Sequence, residues 1–231
     1  MRSRQQRMGV RHCRFSGGQP AVMPLFRATE MDIILLDIGN VLVTVDFMSF
    51  CHGVAVTGPT VPAEIFRKFC SGPIKNRYDK GLIGSGAFLA ELAADPLVRP
   101  MPEAELIERW QGIFSPFPGA DDGVAALETQ GRIWIMSDTD PLHFASLHHA
   151  FPLLHGRERY YLSFRHGFLK SSPSAFIHVL GDSGVDAGRC ILIDDREDNC
   201  RAAGEAGIRS VLFTSWPQAL AALPSDDGGA P

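Results

Sequence analysis

Short apolar runs recur along the chain, and each is closed by a polar loop. Ile33-Ile34-Leu35-Leu36 ends at Asp37, and Ile133-Trp134-Ile135-Met136 ends at Ser137. Tyr160-Tyr161-Leu162, Ile191-Leu192-Ile193 ending at Asp194, and Val211-Leu212-Phe213 follow the same plan. Continuous apolarity over so few residues, without alternation, predicts strands buried on both faces of a parallel sheet. Helical spacing fills the intervals: Asp121 to Thr129, stopped near Gly131; Pro141 to Ala150; Ser174 to Leu180, stopped at Gly181; and Glu197 to Ala206, stopped at Gly207. Strands alternating with helices of this length predict βαβ units. The expected fold class is therefore α/β, a Rossmann-like open parallel sheet with helices on both faces.

One stretch breaks the alternation. Between Asp46 and Pro118 no buried strand is evident, but helical patterns cover Pro62 to Phe69, Ser85 to Ala93 and Pro102 to Ile113, with Ser85 a candidate cap for the second. The expected organisation is a core from 31–45 and 119–224 with a small α-helical cap, 46–118, inserted over the strand ends. Residues 1–30 carry six arginines against one acid, Glu30, and lack apolar periodicity. They are expected to be a disordered extension, or a product of a start codon upstream of Met31. Ser225 to Pro231 is expected to be a frayed tail.

Composition narrows the setting more than the chemistry. An apolar share of 45%, a charged share of 21% and a net charge of −4 are those of an ordinary globular protein and give no broad attraction for nucleic acid or an anionic membrane. No apolar run is long enough to span a bilayer, and none follows a basic start as a secretory signal does. Five widely spaced cysteines without a C-x-x-C pair fit a reduced compartment, and the expected location is the cytoplasm. Nothing in the sequence indicates an oligomeric state.

In parallel sheets the chemistry gathers beyond the carboxyl ends of strands. Asp37, Ser137 and Asp194 all stand at such ends, far apart in sequence. In Asp37-Ile38-Gly39-Asn40, the glycine lets the backbone approach a ligand closely. Alone, an Asp there serves equally as a turn residue. Ser137-Asp138-Thr139-Asp140 offers hydroxyls and N–H groups suited to phosphate oxygens, and is also a good helix cap. Lys170 alone is an ordinary charge. Asp194-Asp195-Arg196-Glu197-Asp198-Asn199 is the most telling segment, because adjacent carboxylates at a buried strand end repel one another unless a cation such as Mg²⁺ relieves them.

Taken in order, the Asp loop, helical insertion, strand-end Ser, Lys and Asp-Asp-x-x-x-Asn resemble the haloacid dehalogenase-like hydrolases with a helical cap, over Met31 to Phe213. Leu36 to Leu42 is most similar to small sugar-phosphate phosphatases whose first motif also has Asp-x-Gly-Asn-Val. The resemblance implies a phosphatase acting on a small phosphomonoester. Asp37 would be the nucleophile and pass through an aspartyl-phosphate. Mg²⁺ would lie on Asp37, the Gly39 carbonyl and Asp195, with Asp194 and Asn199 in support. Ser137, Asp138, Thr139 and Lys170 would surround the phosphoryl group, with Ser137 and Lys170 assisting the chemistry.

Three positions depart from the pattern. Gly39 stands where many such phosphatases carry a second Asp that protonates the leaving oxygen; Asp138 replaces a usual amide; and Ser171 replaces a usual proline. Two rival readings therefore stay open: a catalytically weak binding or scaffold protein, and a dehalogenase-type hydrolase acting at carbon. His143, His148, His149 and His155 have no metal-site spacing and are expected to pack or face solvent, and Trp110, Phe114 and Phe117 are expected to pack the cap.

Overall fold

The computed structural model describes residues 33–223. The expectations for the first thirty residues and for the last seven lie outside the described residues.

Five strands form one parallel sheet in the order β5-β4-β1-β6-β7. They are β1 (Ile33–Leu36), β4 (Arg132–Ser137), β5 (Tyr160–Leu162), β6 (Cys190–Asp194) and β7 (Arg209–Leu212). β1 is central, and all four of its residues are fully buried. Its side chains alternate: Ile34 and Leu36 join one apolar cluster with Val124, Leu147 and Trp216, whereas Ile33 and Leu35 join another with Phe176, Val179 and Ala203. A strand with two covered faces has no solvent side to mark with polar residues, which is why the run is continuously apolar. The α/β open parallel sheet is therefore the observed fold. Its last strand begins and ends slightly earlier than Val211 to Phe213.

Two more short strands, β2 (Val43–Val45) and β3 (Phe114–Pro116), pair antiparallel as a ribbon. They sit at the two ends of the inserted stretch. Only Val43 among them is fully covered, so they lack the apolar signature that sequence reasoning relies on.

Between the ribbon strands lie α1 (Phe47–Val54), α2 (Val61–Ile65) running into a π turn at Phe66–Cys70, α3 (Pro73–Asp79), α4 (Ser85–Ala93) and α5 (Glu103–Gln111). They bury a cluster of their own, including Phe50, Ile65, Phe69, Tyr78, Phe88 and Trp110. α1 and α3 go beyond the three helices expected from periodicity. Both are short, and α3 starts on Pro73, whose fixed φ and missing N–H suit a first helical turn. Ser85 does not cap α4: Gly84 takes that place, and the Ser85 hydroxyl bonds the Tyr78 hydroxyl at 2.8 Å. Phe117 packs against Phe213 in the sheet's cluster rather than in the inserted helices.

The remaining helices flank the sheet: α6 (Ala120–Glu128), α7 (Pro141–Ala150), α8 (Ser163–His166), α9 (Pro173–Ser183), α10 (Glu197–Glu205) and α11 (Trp216–Ala221). α9 runs through Gly181 and ends instead at Gly184, whose φ of 69° supplies the left-handed cap. No helix among the described residues is long and apolar enough to cross a membrane.

Candidate active site

Strand register assembles the site. Leu36 pairs with Ile135 on one side and Ile193 on the other, so Asp37, one step on, stands beside Asp194, with Ser137 at the end of the other flanking strand. The Asp37 N–H donates to Ile193 O at 3.1 Å, which carries the pairing one residue past β1. Asp37 and Asp194 are 6% and 0% exposed.

Lys170 reaches between them from the loop joining α8 to α9. Its Nζ lies 2.6 Å from Asp37 Oδ1 and 2.5 Å from Asp194 Oδ2. Burial alone would lower this ammonium, but Asp194 and Asp37 outweigh it and hold Lys170 above its ordinary value. Burial pushes the Asp37 carboxyl up to about 7; Lys170 opposes the rise, and Asp194 and Asp195 add to it. Asp37 Oδ1 also accepts from Ile38 N at 2.7 Å.

Asp194 is held on both oxygens. Besides Lys170, it accepts from Arg196 N and from Asn199 Nδ2, both at 2.9 Å. Asn199, on the first turn of α10, is 1% exposed, and its Oδ1 has no hydrogen-bond partner among the described residues. Asp195 is half-buried and accepts from Asn40 Nδ2 at 3.0 Å.

Asn40 was not anticipated as a site residue. Its φ of 54° is left-handed, a conformation that Asn tolerates better than most residues, and this turns its amide toward Asp195, 155 positions away. An Asn following a Gly in a strand-end loop is the signal that could have marked it.

Ser137 and Asp138 line the same cleft. Both Asp138 carboxylate oxygens accept from Lys170 N, at 3.0 and 3.2 Å. Its carboxyl is raised to about 6 by burial, against the pull of Lys170. Thr139 lies behind them at 4% exposure, and its N–H is spent on Ser163 Oγ at 2.9 Å. That N–H is not free for a ligand.

The inserted helices roof the cleft, which measures about 710 Å³ and is lined on that side by Phe47, Met48, Phe66, Lys75, Asn76 and Asp79. Roof and sheet are tied by buried charges. Lys75 Nζ bonds Asp79 and lies 3.4 Å from Asp140 Oδ2. Asp140 caps α7 through Leu142 N and His143 N, both at 3.0 Å, and His143 Nδ1 lies 2.7 Å from its other oxygen. His143 is therefore a buried packing residue; its ring stacks on Trp110 at 4.4 Å, and its Nε2 donates to Trp110 O at 2.8 Å. Sequence reasoning passed over Lys75 and Asp79, although a Pro followed by Lys and Asp at i,i+4 was a usable cue for α3.

Asp37, Asp194 and Asp195 each present a carboxylate oxygen, all within 4.8 Å of one another. An all-oxygen, strongly anionic donor set suits a hard divalent ion such as Mg²⁺ better than a soft metal. The unpartnered Asn199 Oδ1 alongside fits the same conclusion.

An open parallel sheet with an acidic, cation-ready centre at its carboxyl edge, under a helical roof, defines an α/β enzyme of the strand-end type. The chain belongs to the haloacid dehalogenase-like hydrolases, whose family model matches residues 31–207. A HAD family enzyme from Bacteroides thetaiotaomicron, solved in complex with magnesium and inorganic phosphate, is 23% identical, with a TM-score of 0.65 over 78% of this chain and 93% of that one. L-2-haloacid dehalogenase from Xanthobacter autotrophicus is 15% identical, with a TM-score of 0.57 over 78% and 76%. CbbY from Rhodobacter sphaeroides, in complex with phosphate, is 19% identical, with a TM-score of 0.51 over 78% and 84%. These likenesses are of fold. Among curated proteins, none matches the chain.

Proposed function

We propose that the protein is an Mg²⁺-dependent phosphatase that moves the phosphoryl group of a small phosphomonoester to Asp37 and then to water. The observation that carries this is the triad of carboxylate oxygens around a buried lysine: Asp37, Asp194 and Asp195 within 4.8 Å, with Lys170 2.6 Å from Asp37. The magnesium and phosphate held by the Bacteroides enzyme add support.

In this proposal Asp37, the Gly39 carbonyl and Asp195 hold Mg²⁺, with Asp194 and Asn199 behind them. Bound there, the ion supplies positive charge to the non-bridging phosphoryl oxygens. Asp37 attacks phosphorus, the P–O bond to the alcohol breaks, and the alcohol leaves. Because Gly39 has no side chain, the leaving oxygen takes its proton from water, which favours esters of acidic alcohols such as aryl or anomeric sugar phosphates. Water then cleaves the aspartyl-phosphate, returning Asp37 and inorganic phosphate. Ser137 donates its hydroxyl to a phosphoryl oxygen, and Lys170 fixes Asp37 while offsetting charge. Asp138 borders the phosphoryl group, and Thr139 holds the loop through Ser163. Residues 46–118 act as the cap that excludes water. The proposed setting is the cytoplasm, on the chain's cysteine usage.

The test is a screen of sugar phosphates, nucleotides and an aryl phosphate with and without Mg²⁺, beside Asp37→Asn. Metal-dependent phosphate release that falls by about 10³-fold or more in the variant is expected. Turnover that survives both a chelator and Asp37→Asn would refute the proposal.

A further inference from the structure

Among the described residues, the wall that would meet the leaving group is short of cations. Five carboxylates line the cleft, Asp37, Asp46, Asp79, Asp138 and Asp195, against three cations, Lys75, Lys170 and Arg196. Every one of those cations is engaged. Lys170 is held between Asp37 and Asp194 at 2.6 and 2.5 Å. Lys75, 5% exposed, is held by Asp79 and faces Asp140 at 3.4 Å. Arg196 is forked onto Asp198 at 3.1 and 2.8 Å, with its side chain 63% exposed, where water and salt weaken its reach into the cleft.

A divalent ion and a phosphoryl dianion cancel in charge, so they leave this acidic excess in place. What remains on the roof side is apolar or neutral: Phe47, Met48 and Phe66 beside Asn76, whose exposed side chain points to no partner among the described residues. A second anion on the substrate would enter this wall with no counter-charge and would pay desolvation as well as repulsion.

We infer, resting on the phosphatase reading above, that the ester this site accepts releases an uncharged or cationic alcohol, and that a leaving group bearing a carboxylate or a second phosphate is rejected by charge. The selection is set by Asp79 and Asp138 inside the cleft and by Asp46 at its exposed rim, with no free lysine or arginine on the wall among the described residues.

The experiment uses the full chain with Mg²⁺ and three aryl phosphates whose phenols have similar acidity: 4-(hydroxymethyl)phenyl, 4-(aminomethyl)phenyl and 4-carboxyphenyl phosphate. kcat/KM for the carboxylate ester is expected to fall at least about tenfold below the other two, as one uncompensated charge in a half-open cleft implies. Asn76→Lys, which adds a cation at an exposed position of the same wall, is expected to narrow that gap several-fold. Equal kcat/KM for all three esters would overturn the inference and leave the phosphatase reading standing, as would a gap that Asn76→Lys leaves unchanged. Failure to hydrolyse all three would overturn the inference, and the phosphatase reading falls with it if the sugar phosphates and nucleotides of the screen also release no phosphate.

Discussion

Replacing Lys75 by Met tests whether the roof is fastened to the sheet by charge. The lysine side chain is 7% exposed, and those of its partners Asp79 and Asp140 are 11% and 0% exposed. The two acids fare differently when it goes. Asp140 keeps its two backbone donors and His143. Asp79 keeps nothing, because Lys75 is its one side-chain partner among the described residues. Removing one member of a buried ion pair costs about 3–5 kcal/mol, since the other is left charged and dry. Asp79 borders the cleft, so the lower figure applies: about 3 kcal/mol, or a Tm lower by roughly 6–12 °C for a domain of this size. Thermal and urea unfolding in metal-free buffer measure it. The sign with pH is also fixed. Burial raises the Asp79 carboxyl above its ordinary range, and Lys75 is the first influence opposing that rise. Without Lys75 the folded-state value climbs further. The cost is then complete above that value and disappears as the pH falls through it toward the unfolded value of about 4. The deficit of Lys75→Met should therefore be larger at pH 8 than at pH 5, and Lys75→Met/Asp79→Asn should recover part of it. A loss below about 1 kcal/mol, or one that does not change with pH, would refute the argument, because water in the cleft would then already solvate Asp79.

Three further outcomes are expected. Saturating Mg²⁺ should raise the stability of the wild type by about 1–3 kcal/mol through mass action, and that of Asp195→Asn by much less, in calorimetry without substrate. Gly39→Asp should fit, since a Cβ there meets only Val45 Cγ2 at 3.4 Å, and by restoring a proton donor it should raise kcat on alkyl phosphates about 10- to 100-fold while changing aryl phosphates little. An unchanged alkyl-to-aryl ratio would count against Gly39 as the missing acid. Asp138, raised from 3.8 to about 6, costs the folded state nothing below pH 4 and its full penalty above pH 6. Asp138→Asn should thus gain on the wild type across that window, by about 1–2 kcal/mol after discounting for partial exposure, in unfolding measured without metal; a flat difference would show that the carboxyl is not strained.

The family was legible because its motifs are local. Asp37, Ser137, Asp194 and Asp195 each stand in a short segment whose apolar run or neighbouring carboxylate can be read without knowing what lies across the sheet, and Lys170 gains meaning from its place in their order. Asn40 and Lys75 were hidden for the opposite reason. Each matters through a residue far away in the chain, Asp195 for one and Asp140 for the other. What the sequence could not show at Thr139 is that its N–H is taken by Ser163 from the next strand's end.

By itself, then, the sequence determined the parallel sheet, since a strand covered on both faces must be apolar throughout, and it determined which residues stand at the carboxyl ends of those strands. It also set the punctuation of most helices through Pro and Gly, although α9 passes Gly181 and stops at Gly184. Only the tertiary structure decided that Asp37 lies beside Asp194, that Lys170 bridges them, and that every cation on the wall of the cleft among the described residues is already paired. Those facts depend on strand register and on which charges lose their water together. Neither is encoded by any one segment, because the free energy of a buried charge is set by partners that the fold alone brings near.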